Sequence, residues 1–255
     1  MNGIDIFGHS IRQVFGNFGA AVRISAILYI IQFGFGVWLE ARLPAMSFGQ
    51  FNPMEVQDFP WGVFLMTYLV LAVTGLWIAV AWHRYVLLSE EPTSIIPAFR
   101  GDRMLAYFGY SILIALIMIP VVVVLSFAVS LLLVPLLMSN GPNTFGFVVL
   151  GLLVYVPLIV IGYRLSVVLP AAALEENLGI GGAWERTRGT TGTILVLAIA
   201  SAIGFFILGL PLFWMTAGSV VAMVWSFVTQ WIVIMVGVSI LTTLYGHYVE
   251  ERPLV

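Results

Sequence analysis

The chain has no cysteine and no lysine among its 255 residues, and only 9% of them are charged. Without cysteine there are no disulfides, thiolate metal ligands or sulfur nucleophiles. Without lysine there is no Schiff-base chemistry, and all ten basic residues are arginine. A soluble domain carries roughly 25% charged residues, so this chain has too little polar surface to cover a water-facing globule. A net charge of −2 gives no footprint for nucleic acid. What fills the sequence is apolar: 61% hydrophobic residues and a mean hydropathy of +1.08. That composition predicts an all-α polytopic membrane protein, with the phospholipid bilayer as its solvent.

A helical span needs about 20 apolar residues. Six stretches qualify: Ala20–Leu39, Trp61–Trp82, Leu105–Met138, Phe145–Pro170, Ile194–Thr216 and Val220–Tyr245. The third is too long for one perpendicular crossing, and Pro120 and Pro135 are the expected places for a kink or stop. Residues 1–19 hold Asp5, His9, Arg12, Gln13 and Asn17 and no uninterrupted apolar region, so no signal peptide is expected there. The first span is expected to start insertion.

Charge then orients the chain. Segment 40–60 has Arg42 against Glu40, Glu55 and Asp58, while 139–144 and 217–219 carry no charge. The other nine arginines (Arg12, Arg23, Arg84, Arg100, Arg103, Arg164, Arg186, Arg188 and Arg252) fall on the opposite side. The positive-inside rule places that side, with both termini, in the cytoplasm.

Three Glu-Glu doublets follow apolar runs, at Glu90-Glu91, Glu175-Glu176 and Glu250-Glu251. Aromatic landmarks recur at Phe15-Gly16, Phe99-Arg100-Gly101 and Trp184 through Gly189, and inward spans finish at Arg84, Arg164 and His247. These spacings predict one membrane domain, 1–255, of three units: 1–91, 92–176 and 177–255. Each unit would be an interfacial helix followed by a helical hairpin. Evenly spaced spans would give similar intervals without common descent, and both explanations stay open. For the interfacial pieces, Ile11, Val14, Phe15 and Phe18 share one helical face, with Ser10 and Gln13 in the form of a capping box. Ile95 and Phe99 share another face behind Ser94, and Trp184 leads the third. Such a piece either senses lipid or a partner, or is a packing elbow.

Few residues invite chemistry. Arg164 lies inside the fourth apolar stretch, at a depth that lets it snorkel to the interface. Arg84 and Arg23 sit at span ends, where phospholipid phosphates are natural partners. Gln32 and Gln230 are amides within spans, suited either to helix–helix hydrogen bonding or to lining a polar path. Arg23, Arg84, Arg164, Gln32 and Gln230 are therefore the candidate lipid or substrate contacts. Small residues at Ala72, Gly75 and Ala79, and at Ala198, Ser201 and Ala202, predict close helix packing. Gly179, Gly181 and Gly182 read as a hinge, since no strand precedes them. His9, His83 and His247 fall at membrane edges, so neither a catalytic triad nor a haem held between spans is expected. The doublets would bind a divalent cation only if they met in space. No catalytic residue, cofactor or metal is expected.

Leu169-Pro170-Ala171-Ala172-Ala173-Leu174-Glu175-Glu176, followed by Ala183-Trp184-Glu185-Arg186-Thr187-Arg188-Gly189, resembles bacterial inner-membrane proteins of the YciC type. It is similar also to the membrane domain attached to some glycerophosphodiester phosphodiesterases. The segment Ala81-Trp82-His83-Arg84 through Glu91-Pro92 is of the same kind. The resemblance implies a bacterial inner-membrane protein and does not imply phosphodiesterase activity, because no segment matches the soluble catalytic barrel. The leading expectation is a non-enzymatic scaffold, regulator or accessory subunit with a membrane-protein partner or a second copy of itself. A transporter or lipid-translocating protein is the alternative. A third grouping, Glu175 with His247 and Arg164 in one wet pocket, would mark an intramembrane enzyme.

Overall fold

The computed structural model describes residues 2–43, 59–92, 94–137, 144–216 and 218–254. Glu55, Asp58, Met138, the segment 139–143 and residue 217, on which parts of the orientation and span reading rest, lie outside them. The described residues form helices and no strand. They are α1 (Gly3–Gly16), α2 (Phe18–Glu40), α3 (Trp61–Leu88), α4 (Gly101–Leu137) and α5 (Thr144–Ser166). Then come α6 (Val168–Leu174), α7 (Ile180–Arg186), α8 (Thr191–Gly209) with a 3₁₀ turn at Leu210–Phe213, and α9 (Val220–Tyr248). Six stretches are long and apolar enough to cross a bilayer: Phe18–Glu40, Trp61–Leu88, Gly101–Pro135, Val149–Leu174, Thr191–Phe213 and Val220–Tyr248. The chain is an all-α multi-pass membrane protein.

Proline acts differently at its several positions. Pro120 and Pro135 were the expected kink or stop of the third span, yet α4 runs through both as one helix of 37 residues. Each proline removes one ladder hydrogen bond, a loss that membrane helices tolerate. Pro170 does divide its span. A proline ring crowds the carbonyl four residues earlier, here Ser166, and α5 ends there. The seven residues after Val167 form α6, and all seven are buried. Helices α4, α3 and α9 cover this run.

Helix α6 is the centre of a dense core at the end of the molecule that carries the glutamate doublets. Trp82, Tyr245, Val167, Val168, Ala171 and Ala173 show no measurable exposure there. Three of the membrane-spanning runs finish alike: Ser89, Glu175 and Glu251 all adopt positive φ, at 56°, 71° and 56°. A left-handed residue at this position turns the last amides back onto the helix. Glu90 N–H thus reaches Arg84 O, Glu176 N–H reaches Ala171 O, and Arg252 N–H reaches Gly246 O. The left-handed residue precedes the first doublet, opens the second and closes the third. The doublets therefore mark equivalent helix ends without occupying equivalent backbone positions.

The interfacial pieces depart from the sequence expectation. In α1 the cap is Asn2, whose N–H donates to the Asp5 carboxylate at 3.1 Å. Ser10 is not a cap. It sits mid-helix, donating to Ile6 O at 2.8 Å and to Thr243 Oγ1 at 3.1 Å. The buried face is Ile6, Ser10 and Val14, while Phe15 and Phe18 are exposed. The register is set by docking across α8 and α9: a Cβ on Gly3 would lie 2.2 Å from Leu197 N, so only glycine permits this crossing. Residues 94–100 form no helix. Pro92 precedes the stretch and Pro97 interrupts it, and the Ser94 hydroxyl bonds Ile96 within it. The third piece is the short α7, entered from Gly179.

Candidate functional site

The arginine-rich end is knitted by ion pairs. The Arg84 Nε lies 2.5 Å from Glu90 Oε2, and its NH1 donates to Ala173 O at 2.9 Å and faces Glu175 Oε1 at 3.6 Å. Arg100 also bonds Glu90, and Arg103 stands between Asp102 at 2.7 Å and Glu175 at 3.5 Å. Arg84 therefore ties the end of α3 to the end of α6, with its charge taken up inside the protein. Burial raises the Glu90 carboxyl pKa, but bonds and charge from Arg84 and Arg100 outweigh it and hold the group below its usual value. Glu250 goes the other way. Burial pushes it up and the Glu176 charge adds to that, against Arg252 at 2.5 Å. Among the described residues no three His, Asp or Glu side chains are placed to hold a metal ion.

His83 is fully buried inside the protein, with Nδ1 2.8 Å from Thr242 Oγ1 and Nε2 3.4 Å from the Tyr107 hydroxyl. Tyr107 stacks on its ring. Nothing in the spacing of His83 announced this, because its partners come from α4 and α9.

Arg164 ends α5 in a different setting. It is 8% exposed. Nε donates to Thr187 Oγ1 at 3.1 Å, NH2 donates to Trp184 O at 2.8 Å, and the guanidinium lies 3.5 Å over the Trp184 ring. No carboxylate of the described residues pairs with it. Helix α7 lays its indole over the cation, a cation–π contact worth about 0.5–2 kcal/mol. Arg23 is exposed on α2 with no described partner. Glu175, His247 and Arg164 do not assemble, since Glu175 faces Arg84 and Arg103 while His247 Nδ1 meets Arg252 O.

The structure does bring Gln32 and Gln230 to one place. They line a cavity of about 510 Å³ between α2, α3 and α9. Its walls include Tyr29, Phe33, Gly36, Glu40, Leu71, Gly218, Ala222, Met223 and Ser226. Gln32 is 8% exposed, and its Nε2 donates to Leu71 O at 3.1 Å. Its Oε1 is buried with no partner. Gly75 makes room for the amide: a Cβ there would lie 3.4 Å from Nε2. On the side of the cavity nearer the arginine-rich end, the Tyr29 hydroxyl donates to Phe227 O at 2.6 Å and Trp231 Nε1 to Ser25 Oγ at 2.8 Å. The cavity runs from Glu40 at the end of α2 to Gln230 and Ile234. Two stripes in the sequence signal it: Gly218, Ala222, Ser226 and Gln230 at steps of four, and Gln32, Gly36 and Glu40 likewise.

No protein-family model, curated protein or solved structure matches the chain. The cavity and the two arginine settings are what its function must be argued from.

Proposed function

We propose that this is a non-enzymatic protein of a bacterial inner membrane that works as a scaffold, regulator or accessory subunit, with the hairpin α4–α5 as its arm toward a membrane-protein partner. The observation that carries the reading is α4. The most apolar 18-residue window of its span has no residue buried inside the chain, whereas the other five spans bury 17–33% of theirs. Its 37 residues would extend about 55 Å at ~1.5 Å each, against a hydrocarbon core of ~30 Å. Its start packs on the core through Met104 and Tyr107. Farther on, Tyr110 and Ile114 still pack on the core and one face meets α5, while Leu116, Ile119 and Val123 are each more than half exposed. The likeness of residues 169–176 and 183–189 to the YciC type supports the bacterial inner membrane as its place, and the arginine distribution supports cytoplasmic termini. A photo-crosslinking side chain at Leu116 or Val123, activated in native membranes, is expected to give a protein adduct of one discrete mass. The same probe at Ile199 and Val224, exposed on α8 and α9, is the control. Equal adduct patterns at all four positions would sink the partner arm.

A second reading, transport or lipid translocation, is favoured by the cavity. Gln32 lies near the middle of α2, so a polar recess reaches toward the depth where carriers place their sites.

A further inference from the structure

We infer that the cavity between α2, α3 and α9 is a binding site for a neutral hydroxyl-bearing group, such as a diol on a short chain or the glycerol head of an uncharged lipid. This stands apart from the partner arm and deepens the second reading by naming the ligand chemistry. The unpaired group comes first. Gln32 Nε2 is held by Leu71 O, which leaves Oε1 as a buried acceptor with no donor. Such a group costs about 1–3 kcal/mol until something pairs with it. Gln230, on the facing helix, makes no hydrogen bond to a described residue and lines the same space. Ser226 lies one turn away on α9. Two amides and a hydroxyl offer both donors and acceptors, which matches a hydroxyl group's own double character.

Charge decides against ions. Glu40 is the one charged residue of the described lining, and it stands eight residues from Gln32 along α2. At ~1.5 Å per residue that is about 12 Å, too far to neutralise a cation at Gln32. Anions meet no basic group in the lining and pass a carboxylate at the rim. The remaining wall is apolar, through Phe33, Leu71 and Met223, which suits a short hydrocarbon chain.

The chain has no cysteine, so Ala222→Cys provides a single reactive site on the cavity wall and leaves Gln32, Gln230 and Ser226 in place. A small water-soluble thiol reagent is expected to label it from the arginine-poor side of sealed vesicles. Three probes share a six-carbon chain: 1,2-hexanediol, hexylamine and hexanoate. The diol alone is expected to slow labelling, by about tenfold at ten times its half-protecting concentration. Gln230→Leu should remove that protection while labelling itself persists. Vesicles containing a monoacylglycerol form the second arm: protection there without free diol assigns the site to lipid, and protection by free diol assigns it to a solute. A cysteine that does not react, equal protection by all three probes, or protection unchanged by Gln230→Leu would each overturn the inference. None of these readouts depends on the adducts of α4, so the two readings fail separately.

Discussion

At the arginine-rich end, Arg84 closes on Glu90 and Glu175, and His83 is shut between Thr242 and Tyr107. At the other end, Gln32 and Gln230 face an open recess, and the most apolar stretch of α4 buries no residue inside the chain. Both ends hold polar groups in apolar surroundings, and they settle them differently. The first pairs most of its groups internally, the buried Trp82 Nε1 being an exception, which costs chain entropy but yields one rigid arrangement. The second leaves the Gln32 Oε1 acceptor without a donor, facing a recess instead of a protein group. Stability is thus concentrated at one end and available interactions at the other. Arg164 shows that the contrast is not a matter of charge alone, since its cation is buried by stacking on Trp184 where Arg84 has carboxylates.

The largest test of this division is a matched pair of truncations. Trp82 is fully buried beside α6, so Trp82→Ala is expected to cost about 3–5 kcal/mol through lost contacts and a cavity. Leu132, 69% exposed on α4, is expected to change stability by less than about 0.5 kcal/mol on the same truncation. Thermal unfolding in one detergent measures both. Similar losses would mean that α4 is packed in the working protein as tightly as the core, against the division drawn here.

Much of this was open to sequence reading and some was not. The six spans emerged because length and hydropathy are local properties, and their ends erred by a few residues where helices run on past the apolar core, as at Leu88 and Tyr248. The site was half visible. Gln32 and Gln230 stood out as amides in apolar runs, but their meeting depends on how α2 and α9 pack, which no one-dimensional spacing contains. The docked face of α1 was hidden for the same reason: Phe15 and Phe18 obey the helical period, but Gly3 against Leu197 sets which residues of α1 are buried in the bundle. Arg84 and Arg164 looked alike in sequence because their difference lies in partners 6 to 91 residues away.

A smaller effect separates two carboxylates within the closed end. Glu90 has its folded pKa below the unfolded one, so the unfolded chain binds more protons between the two values. Its stabilisation is complete above the unfolded pKa and is lost as pH falls through the folded one. Glu250 has its folded pKa raised, so its contribution shrinks as pH rises from the unfolded value through the folded one. Glu90→Gln is expected to flatten the acid side of a stability–pH curve, and Glu250→Gln to remove a decline on the side just above. If both variants change the curve in the same direction, the ion pairs drawn around Arg84 and Arg252 are not those that hold the end together.

The smallest expected change is at the open end, and its sign is the point. Gln32→Leu removes one hydrogen bond, Nε2 to Leu71 O, worth about 1 kcal/mol. It also removes a buried unpaired carbonyl whose cost is about 1–3 kcal/mol. The balance lies at zero or on the side of greater stability, unusual for a buried residue with a partner. The inferred ligand would supply the donor that this oxygen lacks. If the thermal midpoint instead falls by several degrees with no added ligand, Oε1 is already paired in the membrane. Gln32 would then belong to the structure of the α2–α3 pair, with nothing left to offer an occupant.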